Sequence, residues 1–431
     1  MALIDTSKFS LFSFEGKNLL IGYCGGIYNL NLDFLNLINN GTLEDEKLAE
    51  KIKLELQKIE KIETEADDIP PMVGRTLRAL CLNVTSACNL SCIYCFAHGE
   101  GKLSGHMSLN TALKSLDFLL EKSNPEAMLQ IDFFGGEPLL NFDMIRQFVS
   151  EAKKKTNRIK FTLTTNAVLL TEDVLEFLNN ENISLILSLD GDKTYNDLNR
   201  ASSTGESVWA TALTNIKRAI KSRNGDSYYV RGTFTPETMD ILKTCKFFID
   251  NGIYRFSLEP AKGKKTDPWA VKYENLEELS KKYEELAKFI VDKRKEGIPV
   301  DYFHFNIYLD SPLCSPRRLS GCGAGVEYVS IDPNGNIYPC HRLHLKEFSM
   351  GTVFEKSENF DKIREEFKKT TLFEKSGCNS CWAKYYCSGG CHADAYLTND
   401  SIKIPAEYDC ILQKKRTQCA VWTAVSEKTN K

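Results

Sequence analysis

Short apolar runs alternate with amphipathic segments through the middle of the chain. The intervals between the runs show apolar positions at helical spacing, at 111–120, 143–154, 171–178, 208–220 and 238–250. Repeating strand and helix units build a parallel sheet, and six units are fewer than the eight of a closed barrel. The pattern therefore predicts an α/β fold with a partial (β/α)6 TIM-like barrel, whose strands are the runs 79–84, 129–134, 159–164, 184–189, 228–234 and 254–258.

The beginning of the chain predicts a small, separate α+β module at 1–75. Two alternating stretches flank Gly16-Lys17-Asn18, which is typical of a β-hairpin, and a third short strand is expected after Gly26. Helical periodicity follows the hairpin, and an acidic, proline-bearing segment is typical of a linker. The predicted elements are strands at 11–14 and 19–23, helices at 32–39 and 45–62, and a linker at 63–71.

The chain changes character after a long charged helix predicted at 275–295. The segment 314–410 is dense in Cys and Gly and shows little periodicity outside 327–331 and 360–370. Such a segment has too little apolar surface to order itself, whereas metal ligation contributes folding free energy directly. We therefore expect a barrel domain at 76–300 and a loop-rich, metal-stabilised domain at 301–431.

Composition and charge exclude several classes of function. Apolar residues make up 42% of the chain, enough for more than one core, and the net charge is −3. No basic stripe is interleaved with aromatic residues, so no nucleic-acid partner is expected. No apolar run reaches about 18 residues and no signal peptide is visible, so we expect no membrane association and a cytoplasmic location. The 15 cysteines are odd in number and crowd into two stretches, which favours metal ligation over disulfides.

Three cysteines, Cys88, Cys92 and Cys95, crowd the loop after the first barrel strand. A structural zinc site or an ordinary ferredoxin site needs four protein ligands, whereas three thiolates on a [4Fe–4S] cluster leave one iron open. A structural zinc loop is the alternative. The C-x3-C-x2-C spacing, with the aromatic Tyr94 before the last cysteine, resembles the signature of the radical S-adenosylmethionine (SAM) superfamily.

This resemblance implies that SAM binds at the carboxyl ends of the barrel strands. Gly135-Gly136-Glu137-Pro138 follows the second strand and resembles the element that binds the SAM amino group. Polar residues at other strand ends point to the same edge of the sheet, although each alone would suit a turn or a surface position. They are Asn166 after the third strand, Ser188 and Asp190 for the ribose and methionyl part, Arg200 for the carboxylate, and 258–260 along the adenosyl site.

The C-terminal cysteines follow a second pattern, which resembles the SPASM extension of radical SAM peptide-modifying enzymes. That resemblance implies two auxiliary [4Fe–4S] clusters, hence three clusters in all. A zinc knuckle at 378–391 is the alternative, and Cys314 is either a further ligand or part of a turn. By the family pattern Cys322, Cys340 and Cys391 hold the first auxiliary cluster, and Cys378, Cys381, Cys387 and Cys410 hold the second.

Four cysteines show no ligand spacing, and burial as small apolar side chains is the expected role of such residues. They are Cys24, Cys81, Cys245 and Cys419.

The resemblance covers about 80–415 and implies that a 5′-deoxyadenosyl radical abstracts hydrogen from a peptide, with flavodoxin or ferredoxin as the reductant. A cysteine-rich precursor peptide and thioether formation are favoured, because His341 stands where sulfatase-activating members have an Asp base. The N-terminal module also resembles leader-recognition domains. Within the SPASM enzymes, the chain resembles the thioether-forming maturases of the SCIFF peptides (sactisynthases). Formylglycine formation on sulfatases and other peptide cross-links are alternatives. A non-enzymatic multi-cluster electron carrier would not explain 135–138 or the barrel.

Overall fold

The computed structural model describes residue 5 and residues 7–67, 76–96, 105–264, 266–307 and 319–428. Twelve strands lie within these ranges. They are β1 (Phe9–Phe14), β2 (Lys17–Gly22), β3 (Ile27–Leu30), β4 (Ala79–Thr85), β5 (Leu129–Gly135), β6 (Ile159–Thr165), β7 (Ser184–Ser188), β8 (Tyr228–Phe234), β9 (Arg255–Pro260), β10 (Asp301–Tyr302), β11 (Tyr328–Ile331) and β12 (Ile337–Tyr338).

Thirteen α-helices lie in the same ranges. They are α1 (Leu32–Asn40), α2 (Glu46–Asp67), α3 (Leu109–Lys122), α4 (Phe142–Lys155), α5 (Glu172–Asn180), α6 (Lys193–Asn199), α7 (Trp209–Ser222), α8 (Ile241–Asp250), α9 (Leu276–Lys295), α10 (Glu358–Lys369), α11 (Lys384–Cys387), α12 (His392–Asn399) and α13 (Glu407–Lys428).

The six predicted barrel strands are β4 to β9, and each is parallel to the next along the chain. This arrangement confirms the predicted partial barrel. β10 extends the sheet beyond β9, and the β11–β12 hairpin joins it beside β4. Along β5 the buried side chains of Ile131 and Phe133 alternate with Asp132 and Phe134. Ile131 and Phe133 pack under the helices, so Asp132 and Phe134 face the interior of the barrel.

The N-terminal module forms its own antiparallel sheet, in the order β1-β2-β3. Glu15 and Gly16 both have positive φ angles, 46° and 74°, which is the geometry of a tight hairpin turn. One face of the sheet packs on α1 and α2, while Leu19 and Ile21 on the other face belong to the main core. The indole Nε1 of Trp422 on α13 donates a 3.0 Å hydrogen bond to the Phe14 carbonyl.

The predicted linker at 63–71 is wrong in its first part, because α2 continues to Asp67. Glu63 is buried, and its carboxylate accepts hydrogen bonds from the backbone N–H groups of Cys24 at 2.6 Å and Gly26 at 2.9 Å. Those bonds compensate the burial of a charged group. Residues 68–71 lie outside the described ranges.

The longest element that the pattern missed is α13, which packs along α9. Consecutive residues from Cys419 to Thr423 are all buried, so this part of the helix has no exposed polar face and shows no amphipathic period. No helix in the described part of the chain is both long and apolar enough to cross a bilayer.

Candidate active site

The cysteine loop follows β4 at the carboxyl edge of the sheet. Its backbone is fixed against the segment after α6, since the Ser91 N–H donates to the Ala201 carbonyl at 2.9 Å and the Ile93 N–H to Asn199 at 3.1 Å. The pKa of the Cys92 thiol is raised to about 11, mainly by burial. Cys95 and Cys88 contribute to this rise, and Arg200 opposes it. The three thiols therefore lie within electrostatic reach of one another. Cations such as the irons of a cluster would stabilise their thiolates, so these residues fit the implied group.

The segment 135–138 contacts both the start of the cysteine loop and the end of β6. A Cβ added at Gly135 would overlap the Thr85 carbonyl oxygen, and one at Gly136 would overlap that of Ala87. The side of each glycine where a Cβ would stand thus faces the backbone of the cysteine loop. Glycine is required there for close packing of two chain segments.

Glu137 is fully buried between the cysteine loop and the end of β6. Its carboxylate accepts hydrogen bonds from the Thr165 hydroxyl at 2.7 Å and from the Asn166 N–H at 2.8 Å. The Asn166 amide also donates to Asn89 Oδ1 at 2.7 Å and lies 4.0 Å from Cys88 Sγ. Burial raises the pKa of Glu137 to about 7, and its hydrogen bonds partly oppose the shift. A buried carboxylate of this kind suits an ammonium group brought by a ligand.

Replacing Glu137 with Gln is expected to weaken SAM binding at least roughly tenfold, because the amide cannot neutralise an ammonium group and its NH2 cannot accept the Asn166 N–H. Equilibrium dialysis of labelled SAM measures the affinity. Since the pKa of Glu137 is about 7, wild-type affinity should also fall as pH drops below this value, while the Gln variant should not respond. Glu176→Gln, at an exposed position of α5, is the matched control. Equal SAM affinity in both variants would contradict this role.

Asp190, Arg200 and Tyr94 form a buried triad beside the same loop. The Tyr94 hydroxyl donates to Asp190 Oδ2 at 2.5 Å, and Arg200 Nε lies 3.0 Å from Asp190 Oδ1. The Arg200 guanidinium stands 5.6 Å from the centre of the Tyr94 ring. The triad thus ties the end of β7 to the cysteine loop. Arg200 is thus already paired with the carboxylate of Asp190. Ser188 lies at the end of β7, on the inner face of the sheet.

The predicted ligands of the second auxiliary cluster surround one cavity of about 150 Å³. The pKa of Cys387 is raised to about 12 and that of Cys410 to about 11. Burial is the largest cause for both, and the other thiols of the set contribute to the rise. Cys391 also borders this cavity. The lining includes all four predicted cysteines, Cys378, Cys381, Cys387 and Cys410.

The predicted ligands of the first auxiliary cluster lie together as well. The pKa of Cys340 is raised by burial and then by the neighbouring Cys391 and Cys322. Cys314 lies outside the described residues. Across the described ranges, no three His, Cys, Asp or Glu side chains are close enough to hold one metal ion. The remaining cysteines Cys24, Cys81, Cys245 and Cys419 are buried, as predicted.

His341 lies between the cysteine loop and Cys340. Its ring centroid is 5.5 Å from that of Phe96, next to Cys95, and 4.8 Å from that of Phe134, next to Gly135. The Tyr328 hydroxyl is 2.8 Å from its Nδ1. The pKa of His341 is lowered to about 3, mainly by burial and also by the charges of Arg342 and Arg231. The imidazole is therefore neutral at physiological pH.

A network of four charged groups lies beside the auxiliary cysteines, with Asp394 buried and the other three half-buried, and it was not predicted from the sequence. Lys262, after β9, lies 2.5 Å from Asp394 and 2.7 Å from Asp409, and Asp394 also pairs with Arg342. Two of the four residues adjoin predicted ligands in the sequence, Asp409 beside Cys410 and Arg342 two residues after Cys340. That proximity is the only signal that the sequence carries.

Comparison with known proteins matches two families. The radical SAM superfamily model matches residues 82–248, and the iron–sulfur cluster-binding SPASM model matches 322–382. An uncharacterized protein of Methanocaldococcus jannaschii, MJ0907, is 30% identical over 271 residues, which are 62% of this chain and 86% of the relative. A cysteine-type anaerobic sulfatase-maturating enzyme of Clostridium novyi is 29% identical over 358 residues, 76% of this chain and 92% of that enzyme.

A solved structure has the same fold. The structure of native anSMEcpe with bound AdoMet and Kp18Cys peptide superposes with a TM-score of 0.69 at 22% identity, covering 84% of this chain and 100% of that one. The radical SAM match precedes the SPASM match along this chain, in the same order as the two cysteine patterns. The chain therefore belongs to the radical SAM superfamily, and it combines the SAM-binding barrel of that superfamily with an iron–sulfur cluster-binding SPASM domain.

Proposed function

We propose that the chain modifies a ribosomally made, cysteine-rich peptide and forms a thioether between a cysteine sulfur and an α-carbon. When bound, SAM and an iron–sulfur cluster supply hydrogen abstraction from the substrate. A peptide substrate is supported by the related fold described with a bound Kp18Cys peptide and by the similarity to a sulfatase-maturating enzyme. The thioether product is supported by His341.

His341 occupies the position at which the sulfatase-activating group is expected to use an aspartate base. A neutral imidazole with a pKa of about 3 is a weak base at physiological pH. Its Nδ1 is engaged by the Tyr328 hydroxyl, and two aromatic rings cover it. This environment favours a product whose formation needs no base at position 341.

The side chains around this position would hold the reacting groups and exclude water. Glu137 would pair with the SAM ammonium, and the Asp190–Arg200 pair would fix the wall beside it. Phe96, Phe134 and His341 form an apolar surface between the cysteine loop and Cys340. Such a surface keeps water from competing with the substrate.

The finer assignments belong to the same proposal. Three [4Fe–4S] clusters would be held by the cysteine loop and the two C-terminal sets, with Cys314 either completing the first auxiliary set or leaving it open. The division into a recognition module at 1–75, a barrel at 76–300 and a cluster domain at 301–431 is also proposed. Flavodoxin or ferredoxin would supply the electron.

A second candidate is formylglycine formation, which the 29% identity to a sulfatase-maturating enzyme favours. Tandem mass spectrometry separates the two reactions. The protein is incubated under reducing, anaerobic conditions with SAM and a cysteine-rich peptide encoded beside its gene, and in parallel with a cysteine-containing sulfatase peptide. Loss of two hydrogens per cysteine, at a cross-linked cysteine, supports the thioether. Replacement of the cysteine sulfur by oxygen together with loss of two hydrogens, which is the change to formylglycine, would overturn it.

Among the described residues, the N-terminal sheet has one edge that no other element covers. The edge of β1 is covered by α13, where Gln418 and Trp422 contact Ser10 and Phe14. β3 is the other edge strand of this sheet. The Gly22 N–H bonds the Gly26 carbonyl, so the alternation of an antiparallel pair turns the N–H and C=O of Asn29 away from β2. A leader peptide could add there as a further strand.

Replacing Asn29 with Pro is expected to lower peptide affinity roughly fivefold to tenfold, because it removes one outward N–H and places a ring on the edge. Cleavage of SAM without peptide should not change, since β3 carries no predicted cluster or SAM ligand. Asn29→Ala keeps the N–H and is the matched control. A point variant is needed because β2 shares the main core, and truncation would expose it. Unchanged affinity of the Pro variant, measured by fluorescence anisotropy, would exclude this edge.

A further inference from the structure

Three hydrogen-bond donors lie side by side on the inner face of the barrel. Arg231 on β8 is in register with Ser188 on β7 and with Ser257 on β9. Its chain neighbours Val230 and Gly232 are buried, whereas Arg231 is exposed. Because side chains alternate along a strand, Arg231 faces the interior together with Ser188 and Ser257.

The cation in this row differs from the other interior and buried cations of the barrel. Arg200 is paired with Asp190 at 3.0 Å, Arg255 with Asp301 at 3.3 Å and Arg416 with Glu259 at 3.3 Å. Within the described residues, neither the Arg231 guanidinium nor the hydroxyls of Ser188 and Ser257 have a hydrogen-bond or ion-pair partner. An interior arginine flanked by two hydroxyls is equipped for a carboxylate, which accepts two parallel N–H bonds.

The charge of Arg231 acts on two other residues, Glu259 and His341. Burial raises the pKa of Glu259 on β9, but His304, Arg416 and Arg231 hold it well below its usual range. Arg231 also contributes to the lowered pKa of His341 on the opposite wall, after burial and Arg342. Arg200 instead acts on Cys92 and Glu137 at the cysteine loop. The two arginines therefore serve different parts of the interior.

We propose that Arg231, with the hydroxyl of Ser257, binds the carboxylate of an Asp or Glu side chain beside the modified residue of the peptide substrate, while Ser188 on the other side of Arg231 stays the expected contact of SAM. This inference rests on the proposed peptide-modifying function. The only other carboxylate expected in the interior belongs to SAM. By the family resemblance, Arg200 beside the cysteine loop would hold that carboxylate.

The test uses the cluster-loaded protein with SAM and two probe peptides, acetyl-Ala-Cys-Asp-amide and acetyl-Ala-Cys-Asn-amide. Calorimetry is expected to give about tenfold tighter binding of the Asp probe, the range of a charge-assisted hydrogen bond. Arg231→Gln should reduce this preference below about twofold, and Arg231→Lys should keep part of it. Arg146→Gln, on the exposed side of α4, is the matched control and should keep all of it.

Three outcomes would overturn the proposal. The wild-type protein could bind both probes equally, or Arg231→Gln could keep the preference for Asp. Thirdly, Arg231→Gln could weaken SAM itself about tenfold without changing the preference, which would assign the row to the SAM carboxylate. Modification of a precursor peptide is measured separately by mass spectrometry. Asp-selective binding that depends on Arg231 thus supports the carboxylate site even where no thioether forms, and the two failures remain distinguishable.

Discussion

Replacing Cys88, Cys92 and Cys95 together with alanine is expected to remove about one third of the iron and to abolish 5′-deoxyadenosine formation. The three proposed [4Fe–4S] clusters would bring about twelve irons per chain, and this loop would hold one of them. The other seven cysteines lie on different elements, around Cys340 and around the cavity lined by Cys387. Their clusters should therefore assemble without the loop.

Iron and sulfide analysis and anaerobic chromatography of the SAM products measure the two effects. Cys245→Ala is the matched control, because Cys245 is buried on α8 and has no ligand role. It should keep all the iron and the full rate of SAM cleavage. Undiminished SAM cleavage by the triple variant would refute the assignment of the loop. Loss of nearly all the iron would instead refute the independence of the three sites.

The barrel could be predicted because each of its strands buries one face and each connecting helix buries one stripe. The periodicities of these elements are visible in the sequence, as at Leu129–Gly135 followed by Phe142–Lys155. The cysteine loop could be predicted because its spacing is local. In contrast, five consecutive residues of α13 are buried and leave no amphipathic period. Glu63 matches an acidic linker in the sequence, and only the structure shows that its carboxylate accepts hydrogen bonds from backbone amides.

The surroundings of the cysteines could not be predicted, because they depend on residues far apart in the chain. His341 meets Phe96 and Phe134 only when the β11–β12 hairpin joins the barrel sheet beside β4. Arg231 becomes distinctive only by comparison with interior cations that have partners. The packing of Gly135 and Gly136 against the cysteine loop is likewise visible only in the tertiary structure. Sequence spacing identifies candidate ligands, and tertiary structure supplies what orients them.

The charge network around Lys262 bridges the two auxiliary sets. On one side, the Arg342 backbone N–H donates to Cys340 Sγ at 3.3 Å, and its guanidinium lies 4.0 Å from Cys391 Sγ. Arg342 and Lys262 share Asp394, and they hold its pKa well below the usual range although burial opposes them. On the other side, Lys262 pairs with Asp409, the neighbour of Cys410. Lys262 is therefore the barrel's contribution to a continuous link between the two sets.

Replacing Lys262 with Met is expected to be strongly destabilising, because it leaves two buried carboxylates with one cation. Removal of one partner from a buried ion pair costs about 3–5 kcal/mol. Denaturant unfolding of the cluster-loaded protein measures this loss. Lys264→Met, two residues away and exposed, is the matched control and should change stability by less than about 0.5 kcal/mol. Adding Asp409→Asn to the Lys262 variant should recover part of the loss, because it restores the balance of charge.

The same substitution should act on the auxiliary clusters and not on the cluster of the loop. Loss of a buried positive charge beside Cys391 and Asp409 stabilises the oxidised form of a nearby cluster, so its reduction potential should become more negative. EPR-monitored redox titration detects this shift, and the Cys88, Cys92 and Cys95 triple variant isolates the auxiliary signals. A Lys262→Met protein as stable as Lys264→Met, with unshifted potentials, would show that the network neither joins the barrel to the cluster domain nor tunes its clusters.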